Sequence, residues 1–176
     1  MHLNTPEGNL PPSRRLFAAS LFMAGYAPAA LSSCATPVTT PSEGIVEEDI
    51  TFRAAGDYML PAYVARPTGR GRHAAIIVVN EIFGIHDYIK DVCRRLAREG
   101  YVAIAPDYFD RAGDPAPLTD FAEIRQIVAT ANYEQVMGDT EGALTWLAAQ
   151  AFVNADAIGV TGFCWGGTVV WMASAR

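Results

Sequence analysis

The chain has 176 residues, 51% of them hydrophobic and 18% charged, which is the composition of one globular domain. Its formal net charge is −6 and it contains no run of lysine or arginine, which argues against a nucleic-acid-binding protein. Its cysteines and histidines have neither C-x-x-C nor metal-ligand spacing, so neither a disulfide framework nor a metal site is predicted.

Residues 1–33 have the pattern of an export signal. Arg14 and Arg15 form a twin-arginine pattern, and an apolar run over residues 16–31 follows them. The run is short for a membrane-spanning helix, which needs about 20 apolar residues, and it suits the hydrophobic region of a signal. We therefore predict an exported protein that is either periplasmic or a membrane-anchored lipoprotein.

The residues after this signal suggest a lipid attachment site. Leu31-Ser32-Ser33-Cys34 resembles a lipobox, in which the cysteine thiol is lipidated and the signal is cut before it. A plain signal cleaved near residues 27–29 is the alternative. Residues 34–43, rich in proline and threonine, predict a flexible tether. Because the remaining chain is acidic, membrane contact is expected only through the signal or a lipid on Cys34.

Four segments are predicted to be strands of one sheet. Residues 44–52 and 58–65 flank a turn and predict an antiparallel pair. Residues 74–79 form a continuous apolar run, which is typical of a strand buried on both faces. Residues 101–105 predict a second strand of that kind, so a parallel sheet with crossover connections follows.

Helices are predicted from their N-caps and apolar stripes. Asp87 begins one helix, Asp120 with Glu123 begins a second, and Asn132 with Gln135 begins a third. The apolar positions of the last two helices are Phe121, Ile124, Ile127 and Val128, and then Tyr133, Val136, Met137, Thr140, Leu144 and Leu147. Helices alternating with strands predict an α/β fold.

The most informative segment is the turn Gly162-Phe163-Cys164-Trp165-Gly166-Gly167. It follows a β-branched run at residues 158–161 and precedes an apolar helical stretch. This is the strand–turn–helix context of a nucleophile elbow, G-x-S-x-G, with cysteine in place of serine. The glycines at 162 and 166 are needed because a Cβ atom there would clash with neighbouring backbone.

Two roles compete for Cys164. A cysteine without a disulfide is usually a small buried apolar residue. The elbow reverses that expectation, because the turn lifts the sulfur clear of the sheet and the positive end of the following helix favours a thiolate. The backbone N–H of Trp165 would then face an oxyanion, while its indole is predicted to line the pocket or the core.

Together with two further blocks, the elbow resembles the dienelactone hydrolases of the α/β-hydrolase fold. Val79-Asn80-Glu81-Ile82-Phe83-Gly84 is similar to the segment after that family's third strand. Residues 91–97 and then 100–107 are similar to its first helix and its next strand. The blocks occur in family order and spacing between about residue 44 and the C-terminus.

The resemblance implies a hydrolase that cleaves a small-molecule ester or lactone and needs neither a metal nor an organic cofactor. Cys164 and Glu81 would be catalytic, because the family's matching glutamate interacts with the resting cysteine thiol. Backbone N–H groups of Ile82 and Trp165 would form the oxyanion hole. The alternative for Glu81 is a solvated loop carboxylate. No oligomeric state is implied.

Several other polar residues receive structural predictions. His86 precedes Cys164 in the chain, whereas this fold supplies its catalytic histidine from a late loop, so a polar loop contact is predicted. Cys93 shares a helix face with apolar residues and is predicted to lie in the core. Arg125 is expected on a solvated helix face rather than as a clamp for a substrate carboxylate. Asp107 and Asp110 are predicted to cap the loop after a strand rather than to serve as the triad acid.

No Asp or His follows Cys164, although the family's triad continues with both in that order. We therefore expect residues 44–176 to form the N-terminal part of an α/β-hydrolase domain that ends just after the elbow, with residues 158–161 at an exposed sheet edge. Little esterase turnover is expected, and an inactive fragment or remnant of such an enzyme is the alternative function. A thiol redox protein is a weaker third class, because Cys164 lacks a C-x-x-C partner.

Replacing both Arg14 and Arg15 by lysine is expected to stop export and to leave unprocessed precursor in the cytoplasm, because twin-arginine signals are read by their paired arginines. Cell fractionation followed by immunoblotting measures this. Normal processing of the double variant would contradict the prediction. Cys34→Ala keeps both arginines and is the matched variant for lipidation: it should lose incorporation of labelled fatty acid.

Overall fold

The computed structural model describes residues 39–175. The predicted signal at residues 1–33, Cys34, and residues 34–38 of the predicted tether lie outside the described residues. Thr40 is buried, and its backbone N–H donates to the carboxylate of Asp91 at 2.6 Å. The stretch just before the first strand therefore contacts the body of the domain.

Within these residues, strands form one mixed sheet with helices on both faces. The strands are β1 Ile45–Arg53, β2 Met59–Pro67, β3 His73–Val79, β4 Val102–Pro106 and β5 Val153–Gly162, arranged in the order β1-β2-β4-β3-β5. β1 and β4 pair with β2 in antiparallel fashion, whereas β4 and β5 pair with β3 in parallel. The α/β fold, the antiparallel pair and the parallel part of the sheet are all confirmed.

Helices follow β3, β4 and β5 in the described chain. They are α1 Asp87–Arg98, α2 Phe121–Val128, α3 Tyr133–Ala148 and α4 Trp165–Ser174, and a short 3-10 turn, Ala55–Asp57, joins β1 to β2. None of the helices in residues 39–175 has both the length and the apolar character needed to cross a membrane.

Two of the predicted N-caps are confirmed and one is wrong by a residue. The side chain of Asp120 accepts the N–H of Ala122, and that of Asn132 accepts the N–H of Gln135. α1, in contrast, begins at Asp87, and His86 occupies the N-cap position without capping through its side chain. An acidic residue is favoured both at the N-cap and in the first turn of a helix. In the first turn, where Asp87 lies, its carboxylate interacts with the helix dipole.

The core is divided between the two faces of the sheet. Successive strand residues point to opposite faces, so Val78 packs with Ile89 and Cys93 of α1, while Val79 packs with residues of α3 and α4 such as Leu147. Both faces of β3 and β4 are covered in this way, which explains why these strands read as continuous apolar runs.

The predicted helix stripes are only partly buried. In α3, Val136, Met137 and Leu147 are buried as expected, whereas Tyr133 and Leu144 are a little under half exposed. In α2, Ile124 is buried and Phe121 is exposed. The apolar stripes are therefore wider than the buried face of each helix.

A buried ion pair joins three separate segments. The carboxylate of Asp139, in α3, is fully buried and accepts two hydrogen bonds from Arg111, at 2.8 and 2.9 Å. It also accepts the N–H of Ala55 at 3.1 Å, and Arg111 donates to the carbonyl of Ala55 at 3.0 Å. The pair thus ties the turn after β1 and the loop after β4 to α3, and its hydrogen bonds offset the desolvation of both charges.

β5 lies at the edge of the described sheet, as predicted for residues 158–161, and it is only partly covered. An apolar groove of about 390 Å³ lies beside it, between α3 and α4. The groove is lined by Ile77, Met137, Thr140, Glu141, Leu144, Ile158, Gly159, Val160 and Ala173. Nearby in α4, Trp171 is 78% exposed. Such an edge is a template for pairing with another strand.

We expect a polypeptide of this sequence to self-associate through β5, and Gly159→Lys to reduce the association. A charged side chain on an edge strand opposes pairing, and a Cβ atom at Gly159 meets no other atom within 4 Å. Gly69→Lys makes the same change in an open loop and should leave association unaltered. Analytical ultracentrifugation measures the outcome, and a monomeric parent chain with cooperative unfolding would contradict it.

Candidate active site

The candidate site lies where β3 and β5 end. These strands are parallel neighbours, and Val79 is paired with Gly162. Carboxyl ends of parallel strands meet at the same edge of a sheet, which is where α/β proteins bind ligands. Residues 80–82 follow β3, and Cys164 follows β5 by two residues, so the two sequence blocks come together here. The N–H of Phe163 donates to the carbonyl of Val79 at 3.3 Å.

Cys164 has a strained backbone. Its φ is 52° and its ψ is −113°, a combination that residues other than glycine rarely adopt. It stands at the N-cap of α4, directly between a strand and a helix, and it is exposed. The sharp strand–turn–helix geometry of an elbow is therefore present at this residue.

The two elbow glycines lie where backbones nearly touch. A Cβ atom on Gly162 would be 2.5 Å from the carbonyl oxygen of Gly166. A Cβ atom on Gly166 would be 2.5 Å from the carbonyl oxygen of Val79 and 2.7 Å from that of Asn80. All three distances are far below any real carbon–oxygen contact, so only glycine allows α4 to start against the end of β3.

Two backbone N–H groups follow the strand ends that meet at this edge of the sheet. Trp165 is the first residue of α4, where an N–H has no acceptor inside its own helix. Ile82 lies in the turn directly after Glu81 and is partly buried. An N–H at a helix start also carries the positive end of the helix dipole, so this region suits a negatively charged oxygen.

Glu81 and His86 contact each other. His86 Nε2 lies 3.2 Å from Glu81 Oε2, and both side chains are mostly buried. The polar loop contact predicted for His86 is present, and Glu81 is not a freely solvated carboxylate. The loop between them turns back at Gly84, whose φ is 71°. That glycine is the signal in the sequence that could have suggested the pairing.

A series of aromatic rings connects this loop with the elbow. Phe83 contacts His86 edge-on at 6.4 Å between ring centroids, and His86 stacks on Tyr88 at 6.3 Å. Tyr88 in turn meets Phe163 edge-on at 6.4 Å. The sequence did not predict this cluster, because its members come from two separate loops and a helix start. Phe83 and Tyr88 remain exposed, so the mouth of the site has an apolar rim.

Trp165 and the loop after β4 pack behind the elbow. The indole of Trp165 lies 5.8 Å from the ring of Tyr108 and 4.8 Å from that of Phe109. Asp107 accepts the N–H of Phe109, as a loop cap should, and burial raises the pKa of Asp107 to about 6. Asp110 accepts the hydroxyl of Tyr58 at 2.6 Å and so also has a structural partner.

Two further predicted residues lie away from this region. Cys93 is fully buried in α1, and burial raises the pKa of its thiol to about 12, so it stays protonated and inert. Arg125 is exposed on α2, on the solvated face predicted for it. Among residues 39–175, no cluster of His, Cys, Asp and Glu side chains is arranged to hold a metal ion.

Comparison with known proteins identifies the family. The model of the Dienelactone hydrolase family matches residues 60–176. An Escherichia coli K12 protein named "Putative carboxymethylenebutenolidase" is 43% identical over 157 residues, covering 86% of this chain and 56% of that protein. A Methylorubrum extorquens protein of the same name is 38% identical over 166 residues, covering 93% of this chain and 57% of the relative.

A solved structure agrees with these matches. The crystal structure of a "Putative Dienelactone Hydrolase" from Klebsiella pneumoniae superposes on this chain with a TM-score of 0.70 at 40% identity. The match covers 75% of this chain and 55% of that one. The chain thus spans about half the length of the relatives that it matches.

Gly166→Ala is expected to destabilise the protein by about 1–3 kcal/mol or more, because the added methyl group overlaps two carbonyl oxygens and must push α4 away from β3. Gly159→Ala is the matched control: its methyl group meets open space, so stability should be unchanged or slightly higher. Urea unfolding followed by tryptophan fluorescence measures both. Equal stability of the two variants would contradict the close backbone contact.

Proposed function

The chain belongs to the dienelactone hydrolase family, and we propose that it acts in the hydrolysis of an ester or lactone with Cys164 as the nucleophile. The observation that supports this most directly is the backbone of Cys164, at φ 52° and ψ −113° on the turn between β5 and α4. Strain of this kind persists only where the surrounding structure maintains it, and it concentrates at reactive residues.

In the proposed reaction, the Cys164 thiolate attacks the carbonyl carbon of the substrate. A carbon–sulfur bond forms, the carbonyl oxygen becomes an oxyanion, and the carbon–oxygen bond to the alcohol group then breaks. The leaving oxygen takes up a proton. Water next attacks the thioester, which releases the carboxylic acid and returns the thiol. In a lactone the acid and the alcohol belong to one molecule.

Backbone groups are proposed to stabilise the oxyanion. The N–H groups of Ile82 and Trp165 come from the ends of β3 and β5, whose relative position is set by the register between these strands. Donors held rigidly in this way need no reorganisation as the charge develops, and one such donor contributes about 10²- to 10³-fold in rate. The start of α4 adds its dipole to this effect.

Glu81 is proposed to act on the thiol, as the matching glutamate does in the family. Its carboxylate is held at 3.2 Å from His86. A carboxylate beside the elbow could accept the thiol proton when substrate binds, which would leave the thiolate needed for attack. His86 would then be a partner of Glu81 rather than a base acting directly on the substrate.

The substrate class is proposed from the relatives and the mouth of the site. The name of the E. coli relative refers to a butenolide, which is an unsaturated lactone. The exposed rings of Phe83 and Tyr88 offer apolar surface on which a flat, conjugated lactone or ester could stack. We also propose that the protein works after export, on the sequence pattern of residues 1–33.

We expect p-nitrophenyl acetate to acetylate Cys164 and to release one equivalent of p-nitrophenol per chain in a burst. Mass spectrometry of peptides locates the acetyl group. Cys164→Ala should lose the burst entirely, whereas Cys93→Ala, which removes a buried thiol, should retain it. Glu81→Gln should slow the burst by about 10²-fold or more, as expected for loss of a general base.

The steady-state phase of the same reaction distinguishes an active hydrolase from an inactive remnant. Turnover after the burst, at about 1 s⁻¹ or faster, would support an active hydrolase. A burst without turnover would favour the alternative of an inactive remnant that keeps its elbow. Acetylation that persists in Cys164→Ala would contradict the cysteine mechanism altogether.

A further inference from the structure

We infer that Asn80 is a positioning residue: its side-chain amide holds the peptide bond between Glu81 and Ile82, and so directs the Ile82 N–H at the oxyanion. This inference rests on the proposed function, because it assigns Asn80 a role through the oxyanion donor. Asn80 itself does not touch the substrate in this proposal.

The contact that carries the inference is short and partly buried. Asn80 Nδ2 donates to the carbonyl oxygen of Glu81 at 2.6 Å, and Asn80 is fully buried. The carbonyl of Glu81 and the N–H of Ile82 belong to one planar peptide group. None of the described peptide bonds is cis, so this N–H points away from the carbonyl that Asn80 holds. Fixing one end of the group fixes the direction of the other.

The same residue is fixed from the other side by the elbow. The carbonyl oxygens of Val79 and Asn80 lie so close to Gly166 that a Cβ atom there would approach them to 2.5 and 2.7 Å. The start of α4, which contains the second donor at Trp165, is thus packed on the backbone of Asn80. Asn80 therefore links both proposed donors, one through its backbone and one through its side chain.

The chemistry of the side chain supports a positional role. The Oδ1 atom of Asn80 is buried and has no hydrogen-bond partner among the described residues. Exchanging the oxygen and the nitrogen of the amide would bring two acceptor oxygens to 2.6 Å, so the nitrogen must face Glu81. A buried acceptor without a partner costs stability. Asparagine supplies the donor that the carbonyl of Glu81 accepts, which an apolar side chain of similar size could not do.

The test compares two reactions of the same thiol. Acetylation by p-nitrophenyl acetate passes through an oxyanion, whereas alkylation by iodoacetamide does not. Asn80→Asp has the shape of asparagine but cannot donate when ionised, and Asn80→Ala removes the donor without adding charge. The matched control is Asn132→Asp, because Asn132 caps α3 as an acceptor and aspartate does the same.

We expect both Asn80 variants to lose about tenfold or more in the acetylation rate, less than the roughly 10²- to 10³-fold loss for a donor removed outright. Their alkylation rates should match those of the parent chain and of Asn132→Asp. Unchanged acetylation would overturn the inference. An equal loss in both reactions, or failure of both variants to fold as judged by circular dichroism, would assign Asn80 a structural role and overturn it as well.

Failure of the proposed function gives a different result. If the parent chain is not acetylated at Cys164, the proposed mechanism fails and the inference about Asn80 fails with it. If the parent chain is acetylated and the Asn80 variants match it, only the positioning role is lost.

Discussion

At the end of β3, the backbone of Gly166 lies so close to the carbonyl oxygens of Val79 and Asn80 that a Cβ atom there would approach them to 2.5 and 2.7 Å. This contact determines where α4 begins, and it holds the strained turn at Cys164 between two rigid elements. Neither a strand nor a helix alone would keep a cysteine at a φ of 52°. The geometry of the site therefore depends on glycine being present at one position of the fold.

Elements whose physical signal is local and periodic can be predicted from the sequence. The apolar runs of β3 and β4 predicted strands buried on both faces, because helices on each side leave no polar face to alternate with. The N-caps at Asp120 and Asn132 were predicted because a side-chain oxygen at that position satisfies an N–H that the helix itself leaves free. The elbow can also be recognised, because glycines at 162 and 166 indicate positions where neighbouring backbone leaves no room for a side chain.

The parts that the sequence did not predict depend on how separate segments meet. The contact between Glu81 and His86 requires the loop to reverse at Gly84, whose positive φ is visible only in the structure. The aromatic rings of Tyr88 and Phe163 lie far apart in the chain and meet only once β3 and β5 pair. The hydrogen bond from Asn80 to the carbonyl of Glu81 could not be predicted, because nothing in the surrounding sequence distinguishes Asn80 from an ordinary loop asparagine.

The pairing of β3 with β5 explains why these features form one site rather than two. Among the described strands, β5 is hydrogen-bonded to β3 alone, so the position of Cys164 relative to the sheet is defined through β3. The same strand leads directly into Asn80, Glu81 and Ile82. A shift of one residue in this pairing would move the cysteine and would turn every side chain of β5 to the other face of the sheet. Ile158 and Val160 of β5 oppose such a shift, because both pack against the core that β5 shares with α3 and α4. Core packing of β5, together with its register on β3, thus maintains the distance between the proposed nucleophile and the groups proposed to stabilise its product.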